Sequence, residues 1–287
     1  MSKREILERE SRLALPVALC AIFAPVLIVG SLVLAGQLDL PTTGLATESL
    51  RAFDANQGAL LALAVMRAIG FLLLVPPLWF LFTATKARRP ELPGAMIGFA
   101  FIGPVLLALQ GVLGYFGQQE IASDFVNSYV AGGDIYTLLD DLTEDSTLST
   151  AAGGLGFAAI LGVGVAMVYF PLQAMRAGLL TRFFATLGMA LGGATILLLG
   201  QILIPDTLWF LWLGLVFIGR TPKGRPAAWD AAEAIPWPRP GDEPQEQRTV
   251  DDEVVDGDAS EVFEAPEPAD HSARRERAKK RKRKRRG

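Results

Sequence analysis

Arg67 stands inside the stretch 59–83, which has no other charged residue. A guanidinium carries five N–H donors, no acceptor and a permanent charge. Among apolar side chains it needs an acceptor, a wet cavity or a bound anion. No carboxylate is expected at the same depth in another apolar stretch. The expected partners are therefore neutral: Gln110, Tyr115 or a freed backbone carbonyl. Two readings stay open. In one, Arg67, Gln110 and Tyr115 form an intramembrane polar site for an anionic group. In the other, Arg67 is packed and partly snorkelled, steadied by Gln110.

Other chemistry has little to work with. One cysteine (Cys20) and one histidine (His271) leave no disulfide, zinc cluster, haem ligation or histidine-based catalysis in the apolar part. Cys20 reads as a small apolar filler. No nucleophile–base constellation, paired carboxylates, phosphate-cradling loop or metal spacing occurs in the apolar stretches. The expectation is a protein that is not an enzyme, with no catalytic residue, cofactor or metal. Residues 117–150 hold seven acids and no base; without a calcium-loop pattern they read as a solvated face.

The elements that must position Arg67 are long and apolar. The chain has 287 residues, 51% apolar and 20% charged, with a mean hydropathy of +0.34. Its first 220 residues hold only 27 of the 57 charges, clustered between apolar runs, which excludes an ordinary water-soluble enzyme. A helix needs about 20 predominantly apolar residues to cross a hydrocarbon core of about 30 Å. The stretches 13–36, 59–83, 95–116, 151–173 and 183–201 qualify. A sixth, 202–219, carries Pro205 and Asp206 near its start, and these fit a tight turn. The first stretch is too long for a signal-peptide core of about 7–15 residues and is expected to be retained.

Basic residues choose the threading. Lys3, Arg4, Arg9, Arg12, Lys86, Arg88, Arg89, Arg176, Arg182, Arg220, Lys223 and Arg225 flank alternate ends of the stretches, and only Arg51 lies on the other side. Lys and Arg resist translocation, so six crossings with both termini cytoplasmic fit. Five crossings would put the basic tail outside. The expected fold is all-α: a polytopic membrane helix bundle of six transmembrane helices over 13–220. A cytoplasmic N-terminus, 1–12, precedes it, and a disordered charged cytoplasmic tail, 221–287, follows.

Proline and small residues add expectations about packing. Pro25, Pro76 with Pro77, Pro104 and Pro171 should kink their helices. Gly154, Ala158, Gly162 and Ala166 recur every four residues in the fourth stretch, and Gly188 and Gly192 in the fifth, so these two should pack closely. A shift of 94 residues aligns 10 identities over 58–107, including Pro77 on Pro171 and Gly94 on Gly188; duplicated hairpins and chance both explain it. In the loop 117–150, Ile121, Phe125 and Tyr129, then Ile135, Leu138, Leu139 and Leu142, suggest two short amphipathic surface helices.

After the last stretch come Gly219-Arg220-Thr221-Pro222-Lys223-Gly224-Arg225-Pro226-Ala227-Ala228-Trp229-Asp230 and Ala234-Ile235-Pro236-Trp237-Pro238. These residues, with the six-stretch layout, resemble uncharacterised multi-span integral membrane proteins of high-GC Gram-positive bacteria. The resemblance implies a plasma-membrane location and no function or site. Trp229 and Trp237 are expected at the lipid headgroup level. Beyond them the acidic segment 242–270 has a net charge of −11, and the block from Arg274 to Arg286 one of +10. The basic block suits anionic lipid headgroups, non-specific contact with nucleic acid, or pairing with the acidic segment. Without interleaved aromatics to stack bases, it argues against specific nucleic-acid recognition.

Two functions remain. The first is a non-catalytic integral plasma-membrane protein whose tail contacts anionic lipid or a partner. The alternative is a small-solute or ion transporter, or its membrane subunit, using kinked helices and Arg67. A water-accessible cavity reaching Arg67 favours the alternative, and a closed bundle the first.

Overall fold

The computed structural model describes residues 2–38, 46–129, 134–200, 203–222 and 224–237. The acidic segment 242–270 and the basic block 274–286 lie outside the described residues.

Helix α1 (Lys3–Ala35) begins well before the first apolar stretch because Ser2 and Glu5 cap it reciprocally. The Glu5 amide donates to Ser2 Oγ at 3.3 Å, and the Ser2 amide to Glu5 Oε2 at 2.8 Å. A helix α2 (Ala46–Ala55) occupies the first loop. The second apolar stretch is two helices, α3 (Gln57–Leu72) and α4 (Val75–Arg88). Pro76 and Pro77 lack amide donors and crowd the carbonyls one turn back. The chain closes α3 with the Leu73 amide on the Ile69 carbonyl and resumes from Leu74. Pro25, Pro104 and Pro171 each lie inside an unbroken helix.

A 3-10 turn at Gly94–Ile97 leads into α5 (Gly98–Ser128), which continues past Phe116, where the third stretch was expected to end. Ile121 and Phe125 are buried on this continuation rather than lying on a separate surface helix. The second expected amphipathic helix is present as α6 (Ile135–Asp145). Asp134 caps it, and the Thr137 hydroxyl together with the Thr137 and Tyr136 amides holds its carboxyl below the usual range. The remaining helices are α7 (Thr147–Arg176), α8 (Arg182–Leu197), α9 (Leu203–Phe217) and the single turn α10 (Ala228–Ala231).

Among the described residues, four stretches are long and apolar enough to cross a bilayer: Lys3–Ala35, Gln57–Arg88, Gly94–Ser128 and Thr147–Arg176. The last two apolar helices are shorter. α8 has 16 residues and α9 has 15, about 24 and 22 Å at the usual helical rise.

Glycines set the closest helix contacts. A Cβ on Gly103 would stand 2.6 Å from the Val163 amide nitrogen, and one on Gly162 would stand 3.0 Å from Gly103 Cα, so α5 and α7 touch backbone to backbone. A Cβ on Gly192 would meet the Gly164 carbonyl at 2.8 Å, which joins α7 to α8. The expected closeness of the fourth and fifth stretches is therefore found, but on a different face. Gly162 turns to α5, Gly164 to α8, and Gly154 to open space. The halves of the 94-residue alignment also differ locally: Leu73 and Leu74 mark a break, whereas their counterparts Met167 and Val168 are inside α7.

One end of the bundle is tied by Arg88. Its Nη1 and Nη2 grip the two oxygens of Glu10 on α1, the second contact at 2.9 Å. Nη1 also reaches the Ala84 carbonyl at 3.0 Å and Nη2 the Trp229 carbonyl at 3.2 Å, while Nε donates to the Ala228 carbonyl at 2.8 Å. The Arg88 side chain is fully buried. Trp229, expected among lipid headgroups, is buried against Phe80 and Phe217, and its Nε1 donates to the Leu179 carbonyl at 2.9 Å. An indole offers a large apolar face and one donor, and the α7–α8 turn supplies the acceptor. The Ile235 amide bonds the Ala177 carbonyl at 3.2 Å, and Trp237 Nε1 donates to the Leu180 carbonyl at 2.8 Å. The described residues 224–237 thus pack on the turn between α7 and α8. Burial pushes the Arg225 guanidinium, which lies over the Trp229 ring, below its ordinary range, with Glu10 and Asp230 pulling it back up.

Removing one member of a buried ion pair strands the other charge, at about 3–5 kcal/mol. Glu10→Ala should lower the unfolding free energy in detergent by that order. A loss under about 1 kcal/mol would class the pair with surface ion pairs.

Candidate functional site

Arg67 sits on α3, facing α1. Its Nε donates to Ser31 Oγ at 3.1 Å, and that hydroxyl passes its own proton to the Ile28 carbonyl at 2.7 Å. Gly70, one turn on, allows this approach: a Cβ there would meet Ile28 Cγ1 at 2.7 Å and the Ala24 carbonyl at 3.2 Å. The two terminal nitrogens of Arg67, with four N–H donors, have no acceptor among the described residues.

Arg67 lines a cavity of about 660 Å³ between α1, α3, α5, α7 and the α8–α9 junction, within the size range of small-molecule sites. Leu74, Leu107, Val163 and Phe210 give the cavity apolar surface, and Phe53, Gln118 and Ser149 line the end away from Arg88. Gly111 and Gly153 leave open space where side chains would project.

The structure brings Arg67, Gln110 and Tyr115 to this one cavity without joining them by hydrogen bonds. Tyr115 is buried, and its hydroxyl donates to the Gln57 carbonyl at 2.9 Å. Gln110 lies along Gly156 of α7, its Cγ 3.1 Å from where a Cβ would stand. The partner of Arg67 is Ser31, which sequence reading passed over as one more small residue in an apolar run.

Asp206 was also missed. Read as part of a turn, it belongs to the first turn of α9 and is only 7% exposed. The end of α8 explains the placement. Leu199 and Gly200 take positive φ (49° and 78°), and the Gly200 amide closes on the Thr195 carbonyl at 2.8 Å. The turned chain brings Asp206 Oδ2 within 2.7 Å of the Thr195 hydroxyl, which also lies 2.9 Å from the Leu191 carbonyl. Oδ1 has no partner. Thr195, Asp206 and Thr207 all line the same cavity as Arg67, and no ion pair joins Arg67 to Asp206. A lone carboxylate beside a proline looks like turn chemistry in a linear reading; a carboxylate inside an otherwise apolar helix was the available signal.

In a Cys20→Ala background, Gly111→Cys and Gly153→Cys should react with a membrane-impermeant thiol reagent, whereas Ala159→Cys, at a fully buried position, should not. Protection of both glycine positions would mean a dry cavity.

No family model, curated protein or solved structure matches this chain.

Proposed function

We propose that the chain is a six-span plasma-membrane protein with both termini cytoplasmic, which binds a small solute through an anionic group at Arg67 and moves it across the bilayer, alone or as a membrane subunit. The observation that carries this reading is the cavity of about 660 Å³ lined by Arg67, whose terminal nitrogens have no acceptor among the described residues. Arg88, by contrast, has its donors met by Glu10 and three backbone carbonyls.

The layout supports the same reading. Twelve basic residues at alternate ends of the apolar stretches against Arg51 alone on the other side favour six crossings. The short α8 and α9 are then a pair whose connection lies below the ends of the longer helices, at the cavity wall. On this threading the cavity faces the outer end, lined by Phe53, Gln118 and Ser149. The cytoplasmic end is closed by Arg88, Glu10 and Trp229. A polar site reached from one side and sealed on the other is what alternating access requires of one of its states.

Reporter tags at Ser2 and Gly287 should both be found on the cytoplasmic face; opposite faces would reject six crossings. For the solute, purified protein in liposomes should take up labelled small organic acids. Arg67→Leu should lower that uptake by about tenfold or more, the loss expected when an ionic hydrogen bond is removed from a desolvated site. Unchanged uptake in Arg67→Leu would remove Arg67 from the site.

A further inference from the structure

Resting on the reading of this cavity as a solute site, we infer that its ligand is a zwitterion, with the anionic group taken by Arg67 and a cationic group by Asp206.

The two side chains come from elements far apart in sequence and face one space. Arg67 has four N–H donors without an acceptor. Asp206 is more than nine-tenths buried, lies in the cavity wall, and keeps Oδ1 without any hydrogen-bond partner. A carboxylate oxygen left unpaired in a buried wall is costly, and a guanidinium short of acceptors is costly for the same reason. Direct pairing would relieve both, yet no ion pair forms between them. One group of each sign, held apart across a cavity, is complementary to a molecule that carries both signs.

Depth agrees. Phe217, at the far end of α9, contacts Trp229, whose carbonyl receives Arg88, the partner of Glu10 near the start of α1. The two helices are therefore antiparallel. Gly214 of α9 faces the Ala18 carbonyl and Ile22 of α1. Stepping back from Gly214 to Asp206 covers about 12 Å at the usual rise. The same step outward along α1 reaches the turn before Ser31, the acceptor of Arg67. Arg67 and Asp206 thus act at nearly the same level.

Among the described residues, the other titratable group of the cavity is Tyr115, whose hydroxyl is already committed to the Gln57 carbonyl. Asp206 is the sole carboxylate in the lining. Its Oδ2 accepts from the Thr195 hydroxyl, and Oδ1 is the oxygen without a partner. The remaining lining is largely apolar, so it accommodates the carbon chain between or beyond the two charges.

The test uses the full-length protein in lipid nanodiscs and reads dissociation constants from ligand-dependent thermal unfolding. The probes are ω-amino acids of increasing charge separation: glycine, β-alanine, γ-aminobutyrate and δ-aminovalerate. Each is compared with the acid lacking its amine, acetate to valerate, and with the amine lacking its carboxyl, methylamine to butylamine. At least one ω-amino acid should bind about tenfold more tightly than either matched half. Asp206→Asn should abolish the advantage over the acid, and Asp206→Glu should retain it with the preferred spacing shifted. The unliganded midpoint of each variant shows that it is folded. Acids that bind as tightly as the ω-amino acids, in an Arg67-dependent way, would overturn the zwitterion and leave the anion site standing. Absence of binding by every probe would overturn both.

Discussion

Arg88 meets an acceptor with every one of its five N–H groups, and the closed end of the bundle depends on that. Desolvating a guanidinium is tolerable only when charge and donors are both matched. Glu10 supplies the charge and two of the acceptors; three backbone carbonyls supply the others. Those carbonyls belong to α4 and α10, and Glu10 to α1, so a single side chain holds three segments together. The chain after α9 is drawn in by the same demand, and Trp229 follows it into the interior, where its ring packs on Phe80 and Phe217.

Arg67 is the counterexample within the same molecule. It has one bond to Ser31 and four unmet donors. The difference lies in the surroundings, since the residue type is the same. Around Arg88 the backbone folds inward; around Arg67 it stands off. Glycines likewise act in two ways in this bundle. Where Gly103 faces Gly162 and Gly164 faces Gly192, the absent side chains let helices touch. Where Gly111 and Gly153 face no neighbour, the absent side chains leave space. Small residues bring helices together only when the opposite surface is also free to approach. Close contact along α5 and α7 at one level therefore coexists with a cavity between the same helices at another.

Much of this was legible from residue order. The apolar stretches marked the main helices, because length and apolar content are local properties. Arg67 stood out because it was alone among apolar neighbours. The double proline at Pro76 and Pro77 marked a disturbance in the second stretch, and the helix is interrupted there between α3 and α4 while Leu73 and Leu74 keep right-handed helical backbone. Ser31 and Asp206 were not legible. A serine in an apolar helix has many uses, and its role depends on whether an arginine thirty-six positions later arrives opposite it. Asp206 beside Pro205 carries the local signature of a turn, and its burial depends on how α8 ends at Leu199 and Gly200. Trp229 carried the composition of an interfacial anchor and became core because a carbonyl fifty residues away stood ready for its N–H.

By itself the sequence determined an all-helical chain, the approximate extents of its apolar helices, the segregation of its charges and the presence of one arginine without a local partner. These follow from rise per residue, side-chain polarity and spacing, which are set along the chain. Which arginine is satisfied and which is left open, which glycines close a contact and which leave a void, and the meeting of Asp206 with the cavity of Arg67 were decided only in three dimensions. The physical reason is that a hydrogen bond or an ion pair is made by atoms within about 3 Å, and sequence distance carries almost no information about that length once helices have packed.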